Sequence, residues 1–169
     1  LGTRYVYDNF NGSIKWRSNF NERNSMDIAA GYDNYNYMMS DFSNAALGYD
    51  MKFDIGQIFG KIKFKSTIND AHTLTYGANF INYNLMPGSY MPYSSESLVI
   101  PRKLENETGM EGAIFIGDTW NLSDKLTVDY GTRVSMFKSD KTYVNPEIRL
   151  SGRYLISDNW SVKGGFNSM

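Results

Sequence analysis

Lys61, Lys63 and Lys65 stand at every second position of "KIKFKST". In an extended chain side chains repeat with a period of two, so all three share one face. Asp129 with Arg133, and Arg149 with Arg153, keep even spacing in their own segments. A face of this kind attracts anions by charge. It also serves as a plain hydrated wall, its cations balanced by carboxylates on neighbouring strands. The second reading suits a chain with 17 basic and 18 acidic residues, a net charge of −1.

A second group lies in "LMPGSYMPYSSESLVIPRKLENET", residues 85–108. Tyr90, Met91, Tyr93, Arg102 and Lys103 offer aromatic and cationic contacts there. A connection this long inside a compact fold is either functional or simply mobile. It is the leading candidate for contact with a ligand or partner.

Other chemistry is sparse. With one His and no Cys, thiolate and His-rich metal sites are excluded. Asp33, Asp41, Asp50 and Asp54 are hard oxygen donors, but their spacing matches no calcium loop. His72 is read as a solvent-exposed turn residue. No nucleophile elbow or phosphate loop occurs, and no carboxylates form a recognisable acid–base pair. The reading is therefore of a protein that is not an enzyme and carries no cofactor or metal. The lack of a basic excess argues against nucleic acid as a partner.

The elements that carry these residues are strands. Aromatic residues make up 15%, with 13 Tyr, 10 Phe, 15 Gly and only 4 Pro, a composition that favours strands over helices. Segments 13–20, 26–35, 61–68, 73–80, 126–134, 147–156 and 160–167 all alternate with period two. Residues 47–68 lose their apolar parity near Gly56. One long strand with a bulge is preferred there over two strands. The N-terminal "GTRYVYDNFNG" adds a further strand and a small loop, giving about nine strands. Links at 21–24, 69–72, 122–125 and 157–159 are tight, with Asn and Asp supplying left-handed and bridge conformations. Links at 36–46, 85–108 and 138–145 are long. Alternating short and long links put the turns at one end of a meander and the loops at the other.

Alternation suits two architectures. A soluble antiparallel protein buries the apolar face, and a membrane barrel turns it to lipid while the polar face lines a wet interior. Strands of 9–13 residues, aromatics near strand ends and mid-strand charge lean toward the barrel. The chain is thus read as all-β, an antiparallel up-and-down meander forming part of a large transmembrane β-barrel. Lys61, Lys63, Lys65, Asp129, Arg133, Arg149 and Arg153 would then face the lumen.

"GAIFIGDTWNLSDKLTVDYGTRVSMF", residues 112–137, resembles a hairpin of TonB-dependent outer-membrane receptors. The elements are Asp118-Thr119-Trp120, then Leu122-Ser123-Asp124-Lys125-Leu126, then Gly131-Thr132-Arg133. Residues 145–169, with Pro146 and Arg149, resemble the following strand pair. Residues 72–90, with Pro87 and Gly88, resemble an earlier strand. The flavour is most like receptors of Bacteroidetes. Gly117 stands where members often have Gln, and Thr132 where Leu is common.

The resemblance implies a 22-stranded barrel plugged by an N-terminal domain. On that expectation residues 1–169 are a fragment of the barrel domain, with the plug absent. The implied partners are the outer-membrane bilayer, the TonB complex through the missing N-terminal region, and a possible surface lipoprotein lid. The implied function is uptake of a scarce solute: siderophore, vitamin, glycan or peptide. A structural or adhesive β protein and a soluble carbohydrate-binding β module stand as alternatives.

Overall fold

The structure is a computed structural model and describes residues 2–168. Its strands are β1 (Thr3–Asn19), β2 (Asn24–Asp41), β3 (Tyr49–Thr67), β4 (His72–Pro92), β5 (Arg102–Lys103), β6 (Glu107–Asn121), β7 (Leu126–Lys138), β8 (Thr142–Ser157) and β9 (Trp160–Asn167). They form one antiparallel meander in the order β1-β2-β3-β4-β6-β7-β8-β9, with β5 added to β4. No described residue is helical.

Several expectations are corrected. The N-terminal segment is not a separate strand, because residues 3–19 run as one. The ninth strand is instead β5, two residues inside the long connection. The first four strands exceed 9–13 residues: β1 to β4 have 17, 18, 19 and 21. The links shrink accordingly to 42–48 and 93–106, and residues 139–141 make a tight turn where a long loop was expected. Short and long links therefore alternate only as far as β7.

The tight turns close by side-chain hydrogen bonding. Asn21 Oδ1 accepts the backbone N–H groups of Arg23 and Asn24. Asn69 Oδ1 does the same for Ala71 and His72. Ser123 Oγ accepts from Lys125 and Leu126. Short polar side chains mimic a backbone turn in this way. The expected left-handed conformations are not used, since no described residue has a positive φ.

Register through β1, β2 and β3 is unbroken. Phe20 N–H bonds the Asn24 carbonyl, Arg17 meets Asp27, Asn11 meets Asp33, Tyr7 meets Tyr37, and Phe42 N–H bonds the Gly2 carbonyl. On the other side Asp27 meets Lys63, Asp33 meets Gln57, Tyr37 meets Phe53, and Ser40 meets Asp50. Each step along one strand is matched by an equal step along its neighbour. The bulge expected at Gly56 is therefore absent. The offset lies between β3 and β4: from Ile68 N–H on the His72 carbonyl to Tyr93 N–H on that of Gly48, twenty steps of one chain face twenty-one of the other.

The chain divides into two units. A loop-bearing unit holds β1 through Ser13, Gly31–Phe59 and Asn82–Met110; a turn-bearing unit holds Ile14–Ala30, Gly60–Ile81 and the chain from Glu111 onward. Neither has a hydrophobic core of the usual kind. Among the described residues Ala113 is the only buried hydrophobic one, while Ile14, Ile114, Ile148 and Val162 are all more than half exposed. The oily rows do not press together as they would in a dry sandwich.

Close backbone approach fixes some glycines. A Cβ on Gly77 would run into the Ile62 carbonyl oxygen, and the Phe115 ring lies 2.9 Å from that position.

Candidate functional site

The charged residues singled out by spacing gather in the turn-bearing unit. Arg17 donates to Asp27 at 2.6 and 3.2 Å, and Lys63 reaches the same carboxylate at 3.2 Å. Arg133 lies 3.7 Å from Glu111 and 3.8 Å from Glu147, and Arg149 lies 3.3 Å from Glu147. Asp129 accepts from Thr119 Oγ1 at 2.6 Å and Ser151 Oγ at 3.3 Å. Asp129, Arg133, Glu147, Arg149 and Ser151 share a face across the β7–β8 pairing, where Arg133 is opposite Glu147 and Asp129 opposite Ser151. Glu111 and Glu147 bridge Arg133 from either side, a role that spacing within one strand cannot show.

Among the described residues Arg153 joins no such network. It stands directly opposite Lys163 on β9 and Thr127 on β7. Like charges opposite one another repel unless water screens them. Lys61 and Lys65 share the odd-numbered face of β3 with Lys63, which alone of the three is ion-paired among the described residues.

The loop-bearing unit is built differently. At even positions of β1–β3, Phe10, Tyr32 and Ile58 give way to Asp8, Asn34, Asn36, Asp50, Lys52 and Asp54. Asn34 donates to Asp54 at 3.0 Å and Ser40 to Asp50 at 2.5 Å. At odd positions the order reverses. Asn11 and Gln57 both donate to Asp33. Beyond this row the odd positions turn aromatic: Tyr37 contacts Tyr7 at 5.2 Å, Tyr5 at 6.5 Å and Phe53 at 5.8 Å between ring centroids. Tyr49 contacts Tyr90 at 4.8 Å. The lost parity near Gly56 is thus an exchange of chemistry between two faces, not a slip of the strand.

The loop candidates separate. Tyr90 and Met91 belong to β4, whereas Arg102 and Lys103 form β5, opposite Tyr90 and Ser89. Tyr93 stacks on Phe42, and its N–H bonds the Gly48 carbonyl. Leu98 N–H bonds Ala46, and Ser97 Oγ donates to Gly48. The 93–106 connection is therefore strapped to the 42–48 link. Hydrogen bonds from the Ser43 hydroxyl and backbone N–H hold the Asp41 carboxyl below its ordinary range.

The four aspartates considered for calcium hold separate partners, and the described residues contain no group of three or more His, Asp or Glu placed to share a metal. His72 is corrected. It is the first residue of β4, half-buried, with Nδ1 2.6 Å from Asp118 and its ring stacked on Trp120. Tyr130 also donates to Asp118 at 2.8 Å. The sequence offered Asp118 and Trp120 as parts of one motif, but nothing in it tied them to a residue 46 positions earlier.

A family model described as "TonB dependent receptor-like, beta-barrel" matches residues 1–168. No curated protein sequence matches the chain. Among solved structures, the copper transporter OprC superposes with a TM-score of 0.79 at 11% identity, over 99% of this chain and 31% of its own. BauA, the ferric preacinetobactin receptor from Acinetobacter baumannii, gives 0.72 at 13% identity, over 96% and 30%. The unliganded ferric citrate transporter FecA gives 0.69 at 14%, over 96% and 27%. The chain spans about a third of the length of these neighbours.

Proposed function

The chain belongs to the TonB-dependent receptor β-barrel family, and we propose that it is a stretch of barrel wall in an outer-membrane importer of a scarce solute. The apolar even positions of the turn-bearing unit meet lipid. The polar face, with Lys61, Lys63, Lys65, Asp129, Arg133, Arg149 and Arg153, lines the wet lumen. Tyr90, Met91, Tyr93, Arg102 and Lys103 belong to the external end, where ligand or a lid lipoprotein docks. The plug and the TonB contact are supplied by the rest of the protein, and energy relayed through TonB admits the solute.

The observation that carries this reading is the height of the apolar rows. Even positions stay apolar or small over ten steps from Phe20, just past β1, to Phe10 and from Ile68, just past β3, to Ile58. Ten steps of β1 are about 33 Å of strand. Tilted by about 40°, they span about 25 Å, the height of the lipid-facing band of an outer-membrane barrel. A soluble sheet has no reason to exchange its faces at that height. The opposition of Arg153 and Lys163 supports a hydrated inner face.

The test is outer-membrane fractionation of the intact protein, followed by fluorescence quenching in vesicles with brominated acyl chains. With Trp120 and Trp160 replaced by Phe, Trp16 is the fluorophore of this segment. If the remaining chain's tryptophans are also replaced, strong quenching at Trp16 is expected. Fractionation with the soluble proteins would remove the reading.

A further inference from the structure

The odd-numbered face of the loop-bearing unit carries chemistry that a plain wall does not need. Tyr7, Tyr37 and Phe53 form a continuous row of rings across three strands, with Tyr5 against its flank. Tyr5 and Tyr7, on the first strand of this segment, are more than half exposed. The next rows hold Asn9 and then the Asn11–Asp33–Gln57 hydrogen-bonded clamp. No Lys or Arg occupies an odd position of β1, β2 or β3 within this unit; Arg4 and Lys52 lie at even positions.

We infer that this row is a binding platform for a neutral, hydroxylated ring solute, an uncharged oligosaccharide. The inference rests on the barrel-wall reading, which turns the odd face toward the lumen. Clustered rings offer π-surfaces to the C–H faces of a sugar, while tyrosine hydroxyls and the Asn9 amide offer both donors and acceptors. An anionic chelate or phosphorylated solute needs cations to replace its hydration. Along β1–β3 this face offers the Asp33 and Asp41 carboxylates and no cation; Arg102, opposite Tyr90 on β5, stands beside the ring row rather than in it. The rings are also already clustered by mutual contact, so binding costs little ordering entropy.

The full-length receptor in detergent tests this by calorimetry against neutral α- and β-linked glucan heptasaccharides, with an alginate heptasaccharide as the anionic counterpart. At least one neutral probe binds, and alginate binds at least tenfold more weakly. Tyr7→Ala with Tyr37→Ala weakens the neutral probe tenfold or more, and Tyr37→Phe, which keeps the ring, retains most of the affinity. Heat-modifiable gel mobility confirms that each variant is folded. The inference is overturned if no neutral probe binds, if alginate binds better, or if the double alanine variant binds as the parent does. A receptor that fractionates with the outer membrane yet ignores these probes would sink the inference and leave the barrel-wall reading standing.

Discussion

The two units use the same strands and opposite logic. In the turn-bearing unit odd positions carry Arg17, Asp27 and Lys63, which meet as ions. In the loop-bearing unit the odd positions of the same strands carry Tyr7, Tyr37 and Phe53, which meet as rings. Even positions run the other way, from Trp16, Ile28 and Ile62 to Asp8, Asn36 and Asp54. Backbone pairing is the same in both, so hydrogen bonding does not distinguish them. On the proposed barrel-wall reading, what differs is the medium each face is built to meet. A strand that crosses from hydrocarbon into water must change which residues it turns outward.

The contrast breaks most sharply under a misplaced charge. Ile62→Arg sets a guanidinium on the proposed lipid face and is expected to cost about 2–4 kcal/mol. Asp8→Arg, at an exposed even position of the other unit, is expected to stay within about 0.5 kcal/mol. Urea titration of folding into vesicles reads both. Equal costs would show that the two units face the same medium.

A smaller effect is expected from the rings. Tyr37→Ala removes three ring contacts and is expected to destabilise by about 1–2 kcal/mol, read by the same titration. A cost that disappears in Tyr37→Phe assigns the effect to stacking.

Smaller still is the ionic counterpart. A double-mutant cycle of Arg17→Gln with Asp27→Asn is expected to give a coupling below about 1 kcal/mol, because the guanidinium is largely exposed. The coupling should fall as salt rises. A salt-independent value would mean that the pair is dry.

The smallest expected effect is one of pH. The Asp41 carboxyl is held low by Ser43, so the folded link binds a proton less readily than the unfolded one. Its stabilisation is complete above about pH 4, the ordinary carboxylate range. It is lost as pH falls through the lowered folded value. Amide hydrogen exchange in residues 42–48 should quicken over that interval, and Asp41→Asn should abolish the dependence.

Strand identity was legible in detail. Leu126, Val128, Tyr130 and Val134 share a face as their spacing requires, and β3 is one strand as preferred. The candidate charges were legible as a face but not as a network. Glu147 brings Arg133 and Arg149 together because β7 and β8 are antiparallel in a particular register. The loop group was legible in composition and blurred in extent. Tyr90 lies in β4 and pairs with Arg102 of β5, a non-local relation that a window of sequence does not contain.

The sequence by itself determined the period of two, the tight Asn- and Ser-closed turns, and the chemistry available at each position. These follow from local backbone geometry and from hydrogen bonds that span two or three residues. Only the tertiary structure decided which strands align, that register runs unbroken past Gly56 while an extra residue enters β4, and that His72 pairs with Asp118. Pairing register is a relation between distant segments, and a single misplaced residue would turn every side chain to the opposite face.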